Sequence, residues 1–301
     1  MEKQFPGFYP QNLNNLKTLV DSSTVVFGAT VLLDLYRINH WSYFLDIAEG
    51  KIKQDKRWLP YDTAWYYHTR LPQTIQDEIE KVKTASMYLQ NFKDMIDDGR
   101  HHPFVQDDIM SQFNEFVQDA TNALASNTNS LTDNYRVGEV KRRIAKFFEG
   151  RTGSAYDESK LSQLLTESET RFHDQMCPCI SLSTSQDKRI KANRYIIWKQ
   201  MQQHAKETQE PILLVLNRIT PNWFAIYHDD VVVPQPSLVN EFIVKTGQPI
   251  YIVSAHDFIR QIADDCDQKN ELLKELHDKP TFGNNQQIDF HNNDQQINGN
   301  G

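Results

Sequence analysis

Few residues in this chain have both the type and the spacing to do chemistry. Cys177-Pro178-Cys179 with the distant Cys266 offers three thiols, one short of a structural zinc set, and no histidine pair at ligand spacing completes it. An odd cysteine count without framework spacing reads as free thiols in a reducing compartment. His101 and His102 are adjacent, and adjacent residues do not share a helix face, so they do not form a chelating pair. Asp34 falls one turn into a helical pattern, where local pairing competes with a supporting role at a site. Asp62 opens another helical pattern and suits the positive end of that helix. Asp229-Asp230 reads as a solvent loop.

Two basic clusters remain. Lys141, Arg142, Arg143, Lys146 and Arg151 form one; Lys188, Arg189, Lys191 and Arg194 form the other. Each is first a solvated face. The second, together with Arg218, could also hold a phosphate backbone, with Trp65, Tyr66 and Phe172 as stacking faces for bases. The formal net charge of −8 excludes broad, charge-driven binding to nucleic acid but leaves room for a local basic groove.

The elements that must position these residues alternate between strand and helix. Thr24-Val25-Val26-Phe27 is a short, non-alternating apolar run, the pattern of a buried parallel strand. It breaks at Gly28 and resumes with helical spacing from Val31 to Arg37, the opening of an α/β unit. Trp58-Leu59-Pro60 is expected to be a second short strand, with a helix after Pro60. Apolar periodicity then predicts helices through Ile75, Ile79, Val82 and Met87, through Ile109, Phe113, Phe116 and Val117, and over Val140–Phe148 and Ser159–Phe172, with Asp157 as an N-cap. Thr121 to Asn134, rich in Asn, Ser and Thr, is expected to be a loop.

Strand–helix alternation returns in a helix from Tyr195 to about Lys206, strands at Pro211–Leu216 and Ile250–Val253, a short apolar run at Trp223–Ile226, and helices from Pro236 and from His256. Thr281–Gly301 is mostly Asn, Gln, Gly and Asp, and is expected to be disordered because it cannot offset its ordering entropy. At 39% hydrophobic content the 301 residues can bury a sizeable core. The N-terminus lacks a secretory pattern, and the longest apolar run, Val25 to Leu33, is too short for a bilayer. The expectation is a cytoplasmic protein with no membrane segment.

The run Val26-Phe27-Gly28-Ala29-Thr30-Val31-Leu32-Leu33-Asp34-Leu35-Tyr36-Arg37 resembles the opening motif of the bacterial PIN-like domain family. Leu59-Pro60-Tyr61, Phe147–Gly153, Glu169–Phe172, Tyr195–Gln200, Pro211–Phe224 and Pro236–Phe258 resemble later family segments in the same order, over roughly residues 5–265. The resemblance implies a three-layer, Rossmann-like α/β fold with a parallel sheet and a large helical insertion. Its expected parts are residues 1–71 and 177–265 as the two pieces of the domain, 72–176 as the insertion, 266–280 as a C-terminal helix and 281–301 as the tail.

The resemblance also implies metal-assisted phosphodiester cleavage, in which clustered carboxylates hold Mg²⁺ or Mn²⁺ and the metal activates water. At the positions that match the family's acids and their neighbours this chain has Gly28, Thr30, Tyr66, Leu182, Arg194, Asn217 and Asn222. No catalytic residue and no cofactor are expected from such a set. The reading that follows is a non-cutting relative that binds a protein partner or holds RNA, in the defence or toxin-like settings the family implies. The alternative is an active Mg²⁺- or Mn²⁺-dependent endoribonuclease whose acids come from other positions.

Overall fold

A computed structural model of the chain describes residues 1–9, 15–96, 105–180, 185–226 and 232–276. Three parallel strands form its centre: β1 (Thr24–Phe27), β2 (Ile212–Leu216) and β5 (Ile250–Ser254), in the order β1-β2-β5. Val25 pairs with Leu213 and Leu213 with Tyr251, so β2 is hydrogen-bonded on both sides and is buried throughout.

Successive side chains of a strand point to opposite faces of the sheet, and here both faces meet helices. Val25, Phe27, Leu213, Val215 and Val253 enter one core, with α1 (Leu16–Ser22), α2 (Ala29–Asp34), α3 (Trp41–Lys51), α6 (Glu139–Phe147) and α10 (Ala255–Ile262). Val26, Ile212, Leu214, Leu216, Ile250 and Ile252 enter the other, with α7 (Glu158–His173), α8 (Lys188–Thr208) and α9 (Pro236–Thr246). The result is a three-layer α/β fold, as the sequence implies. Phe27 anchors the first core among Phe44, Phe147, Phe148 and Phe258, with ring centroids 5.7–6.2 Å away. Trp198 anchors the second, against Phe242 and Trp223.

The regular elements described between β1 and β2 are all helices. α4 (Tyr61–Ile96) runs unbroken through Pro72, and α5 (Asp107–Val137) returns antiparallel along it, so the two form a long hairpin. A small antiparallel pair, β3 (Phe224–Ile226) and β4 (Val232–Pro234), follows β2, and α11 (Asp267–Glu275) ends the described chain.

Three expectations change. Trp58-Leu59-Pro60 is not a strand; Val25↔Arg57 and Leu59↔Thr152 are isolated bridges, because Pro60 has no N–H to extend a ladder and α4 starts directly after it. Thr121–Asn134 is not a loop but part of α5. Its hydroxyls find partners inside the helix, Thr128 to the Leu124 carbonyl at 3.3 Å and Thr132 to the Thr128 carbonyl at 2.9 Å, so they are satisfied without leaving it. α8 begins at Lys188, ahead of Tyr195, because the Asp187 carboxylate caps it, accepting from the Arg189 and Ile190 N–H groups. The Asp157 cap is as expected, accepting from the Lys160 N–H at 2.7 Å. His101-His102, Leu182, Asp229-Asp230 and Thr281–Gly301 lie outside the described residues.

Candidate functional site

Where β1 ends, the chain turns through Gly28 into α2, and a cavity of about 110 Å³ opens beside the turn. β1 and α2 supply Gly28, Ala29 and Thr30; α4 supplies Tyr66; α8 supplies Ile190, Asn193, Arg194 and Ile197. Leu214, Leu216 and Trp223 close the far wall. Four of the sequence-derived positions, Gly28, Thr30, Tyr66 and Arg194, therefore share one pocket although up to 166 positions separate them (194 − 28).

Arg194 is the charged residue of this lining. Burial pulls its pKa down from the ordinary arginine value, and the neighbouring Tyr66 and Cys179 act in the opposite direction. Guanidinium stays protonated at any physiological pH, so the pocket holds a fixed, partly desolvated cation among neutral walls. Gly28 donates its N–H to the Val215 carbonyl at 2.9 Å. A Cβ on residue 28 would meet Leu216 Cδ2 at 2.8 Å, so a leucine methyl occupies the space into which a side chain from this turn would project.

Asn217 and Asn222, both buried, lie beyond the end of β2. The Asn217 amide donates to the Asp34 carboxylate. Asp34 also takes Arg37 at 2.6 Å, and Arg37 reaches on to Glu78 at 2.9 Å, so Asp34 is engaged by local partners. Leu182 is not among the described residues.

The second basic cluster does not act as one patch. Arg189 turns back to the start of α4, where it pairs with Asp62 at 2.7 Å and lies over the Trp65 ring at 4.2 Å. Asp62 is 1% exposed, and sequence reasoning placed it only at the helix terminus. Its carboxylate also accepts from the Gln200 amide at 3.1 Å, its N–H donates to Gln200 Oε1 at 3.0 Å, and its carbonyl accepts from Asn193 at 3.1 Å. Burial raises the Asp62 pKa above the usual carboxylate range, against the lowering effect of Arg189 and Gln200. Asn193 and Gln200 stand seven residues apart on α8, two turns along one face; that spacing was a readable signal, but only against a partner on α4. Lys188 and Lys191 line a separate groove between α7 and α8, where Lys188 approaches Glu169 at 3.9 Å. Arg218 is exposed, just past β2.

A second, half-buried ion network lies beside Trp198, which packs on the pocket's Trp223. Arg171 donates to the Cys177 carbonyl and pairs with Glu241 at 2.8 Å; Glu241 also accepts from Trp198 Nε1 at 3.2 Å and Gln202 at 3.1 Å. Burial alone would raise the Glu241 pKa, but Arg171, Trp198 and Lys245 outweigh it and hold the carboxyl below its ordinary value. Cys177, Cys179 and Cys266 are free thiols, the first two buried.

The donor chemistry can be tested against the metal that the fold implies. A hard divalent cation wants several anionic oxygens, whereas the four positions gathered in the pocket present glycine, a hydroxyl, a phenol and a guanidinium, and Asn217 and Asn222 beyond β2 are amides. These residues do not fit such an ion. Among the described residues no three His, Cys, Asp or Glu side chains converge as a metal set.

A parallel sheet covered on both faces, with its cleft where the first strand turns into a helix, defines a three-layer α/β domain of nuclease-type architecture. The family model described as "PIN like domain" matches residues 24–238, most of the chain, which therefore belongs to the PIN-like domain family. No curated protein and no solved structure matches it. No helix among the described residues is long and apolar enough to cross a membrane.

Proposed function

We propose that this chain is a catalytically inactive PIN-like protein, a binding or regulatory module that holds RNA in its cleft without cutting it. The observation that carries the reading is Arg194 in the pocket with Gly28, Thr30 and Tyr66. A guanidinium repels a divalent ion from the place where carboxylates would gather one, yet can fork onto a phosphate. Tyr66 beside it offers an aromatic face for a base. Fold alone does not fix function, so the site supplies the argument: a buried guanidinium suits an anion, and among the described residues no three His, Cys, Asp or Glu side chains converge to hold a metal.

The experiment combines binding and cleavage. Wild-type protein should bind a single-stranded RNA oligonucleotide and leave it intact in Mn²⁺, with DNA as a parallel substrate. Arg194→Ala should weaken binding about tenfold or more, in line with ~1.5–3 kcal/mol for a hydrogen bond to a charged group, with folding kept. Arg194→Asp should weaken it further and still not cleave. RNA cleavage by the Arg194→Asp protein would overturn the proposal.

One observation favours a second reading, an active Mg²⁺- or Mn²⁺-dependent endoribonuclease. Asp34 reaches Asn217 at the end of β2, so one carboxylate does approach the strand ends. Metal-dependent cleavage by the wild type that Asp34→Asn abolishes would establish that reading in place of the first.

A further inference from the structure

A second recess lies along the first turns of α4. Tyr61, Trp65 and His68 have i, i+4, i+7 spacing, so they share one face of the helix. With Thr152, which follows α6, they line a hollow of about 360 Å³. None of the three rings is fully buried, yet each is held. Arg189 lies 4.2 Å over the Trp65 ring and 5.9 Å over that of Tyr61, and its ion pair with buried Asp62 fixes it there. The His68 ring rests on buried Tyr67, with centroids 4.9 Å apart. Partial burial and the charge of Lys141 lower the His68 pKa, so at neutral pH this ring is an uncharged aromatic. Rings fixed in advance cost little entropy when a ligand arrives.

The recess adjoins the cleft. Trp65 and Tyr66 are consecutive on α4, as are Arg189 and Ile190 on α8. In each pair the first residue stands at the recess and the second lines the cleft. Cations accompany both hollows: Lys141 acts on His68, Arg70 lies 5.8 Å over the Tyr66 ring, and Arg194 lines the cleft. In a chain of net charge −8, basic groups gathered around two adjoining aromatic hollows suit an anionic polymer with flat bases. Room is sufficient, since a cavity of ~150 Å³ already admits a benzene ring.

We propose that this recess is a base-stacking subsite for single-stranded RNA. A strand anchored by a phosphate on Arg194 passes over Arg189 and lays a neighbouring base on Trp65, with Tyr61 and His68 on either side. The subsite rests on the reading of the cleft as an RNA site and adds a second contact to it. Stacking tolerates any base because every base has a π-face, so the site holds a strand without selecting its sequence.

Photocrosslinking of the wild-type chain to a single-stranded RNA decamer carrying 5-iodouridine tests this. Crosslinks should fall on Tyr61, Trp65 or His68, read by peptide mass mapping. Trp65→Leu, which keeps apolar bulk and removes the π-face, should bind the decamer about tenfold or more weakly, the loss of one stacked base. Trp65→Phe should retain most of the affinity, which separates stacking from a fault in folding. Crosslinks confined to the cleft overturn the subsite, as does a Trp65→Leu protein that binds as tightly as wild type. An Arg194→Ala protein that still loses affinity then leaves the cleft reading in place. A wild type that binds no RNA overturns both.

Discussion

Leu216 Cδ2 lies 2.8 Å from the point that a Cβ on Gly28 would occupy. The backbone of residue 28 is extended, φ −63° and ψ 148°, a conformation open to any residue. Packing, not backbone geometry, therefore selects glycine here. The apolar wall of the cleft has closed over the space that an acid at the end of β1 would need. Gly28→Asp should lower stability by about 1–3 kcal/mol, the range for overpacking a filled site. Leu216→Ala in the same chain should recover part of the loss, and neither protein should gain a stoichiometric Mn²⁺ site by calorimetry. Full stability for Gly28→Asp alone would show that Leu216 yields freely.

Arg189 and Asp62 make a different demand. Asp62 is almost wholly buried and is ion-paired with Arg189 at 2.7 Å. Removing one member of a buried pair strands the other, at about 3–5 kcal/mol. Arg189→Ala should therefore destabilise strongly by denaturant titration, and Arg189→Ala/Asp62→Asn should be more stable than the single variant. If the double variant is no better, Arg189 acts through its packing on Trp65 and not through the charge.

Much of the scaffold was legible because buried parallel strands announce themselves. Thr24–Phe27 and Ile212–Leu216 are apolar on both faces, which only a sheet covered on both sides requires. The gathering of Gly28, Thr30, Tyr66 and Arg194 followed from family-like segments in order, since no local pattern links residues so far apart. Side-chain partnerships were not legible. Nothing in the run Lys188–Arg194 says that Arg189 turns toward Asp62 while Lys191 faces α7; that division depends on the helical phase against two neighbours. Thr121–Asn134 misled for a related reason. Its composition favours turns, but packing along α4 overrides that local preference, and the hydroxyls are satisfied by carbonyls four residues back.

The thiols should differ in reactivity. Burial pushes Cys177 up to about 11 and raises Cys179, so at neutral pH both are protonated and shielded. Cys266 is exposed, and its pKa is lowered by the Tyr43 hydroxyl and the Lys269 N–H, which favour the thiolate. Iodoacetamide on native protein at neutral pH should label Cys266 first, read by peptide mass mapping, with the other two appearing only after unfolding. Early labelling of Cys177 would mean that the α7–α9 side of the core opens in the native state.

Glu241 and Asp62 should contribute to the pH dependence of stability with opposite signs. Glu241 has a folded pKa held below its unfolded value by Arg171, Trp198 and Lys245, despite burial. Its contribution is fully present above the unfolded carboxylate pKa and is lost as pH falls through the folded one, because the unfolded chain then binds the proton more readily. Asp62 has a folded pKa raised by burial. The folded state there binds the proton more tightly, so stability falls as pH rises from the unfolded pKa through the folded one and is level above it. Each substitution should then remove one slope. Glu241→Gln should flatten the acid-side loss of stability, and Asp62→Asn should steepen the net rise with pH by removing the opposing component. Chemical denaturation of the three proteins between about pH 3 and 7, a range that spans ordinary and shifted carboxylates, reads both effects. Parallel curves for wild type and Glu241→Gln would mean that Arg171 and its neighbours stabilise the neutral amide as well as the carboxylate.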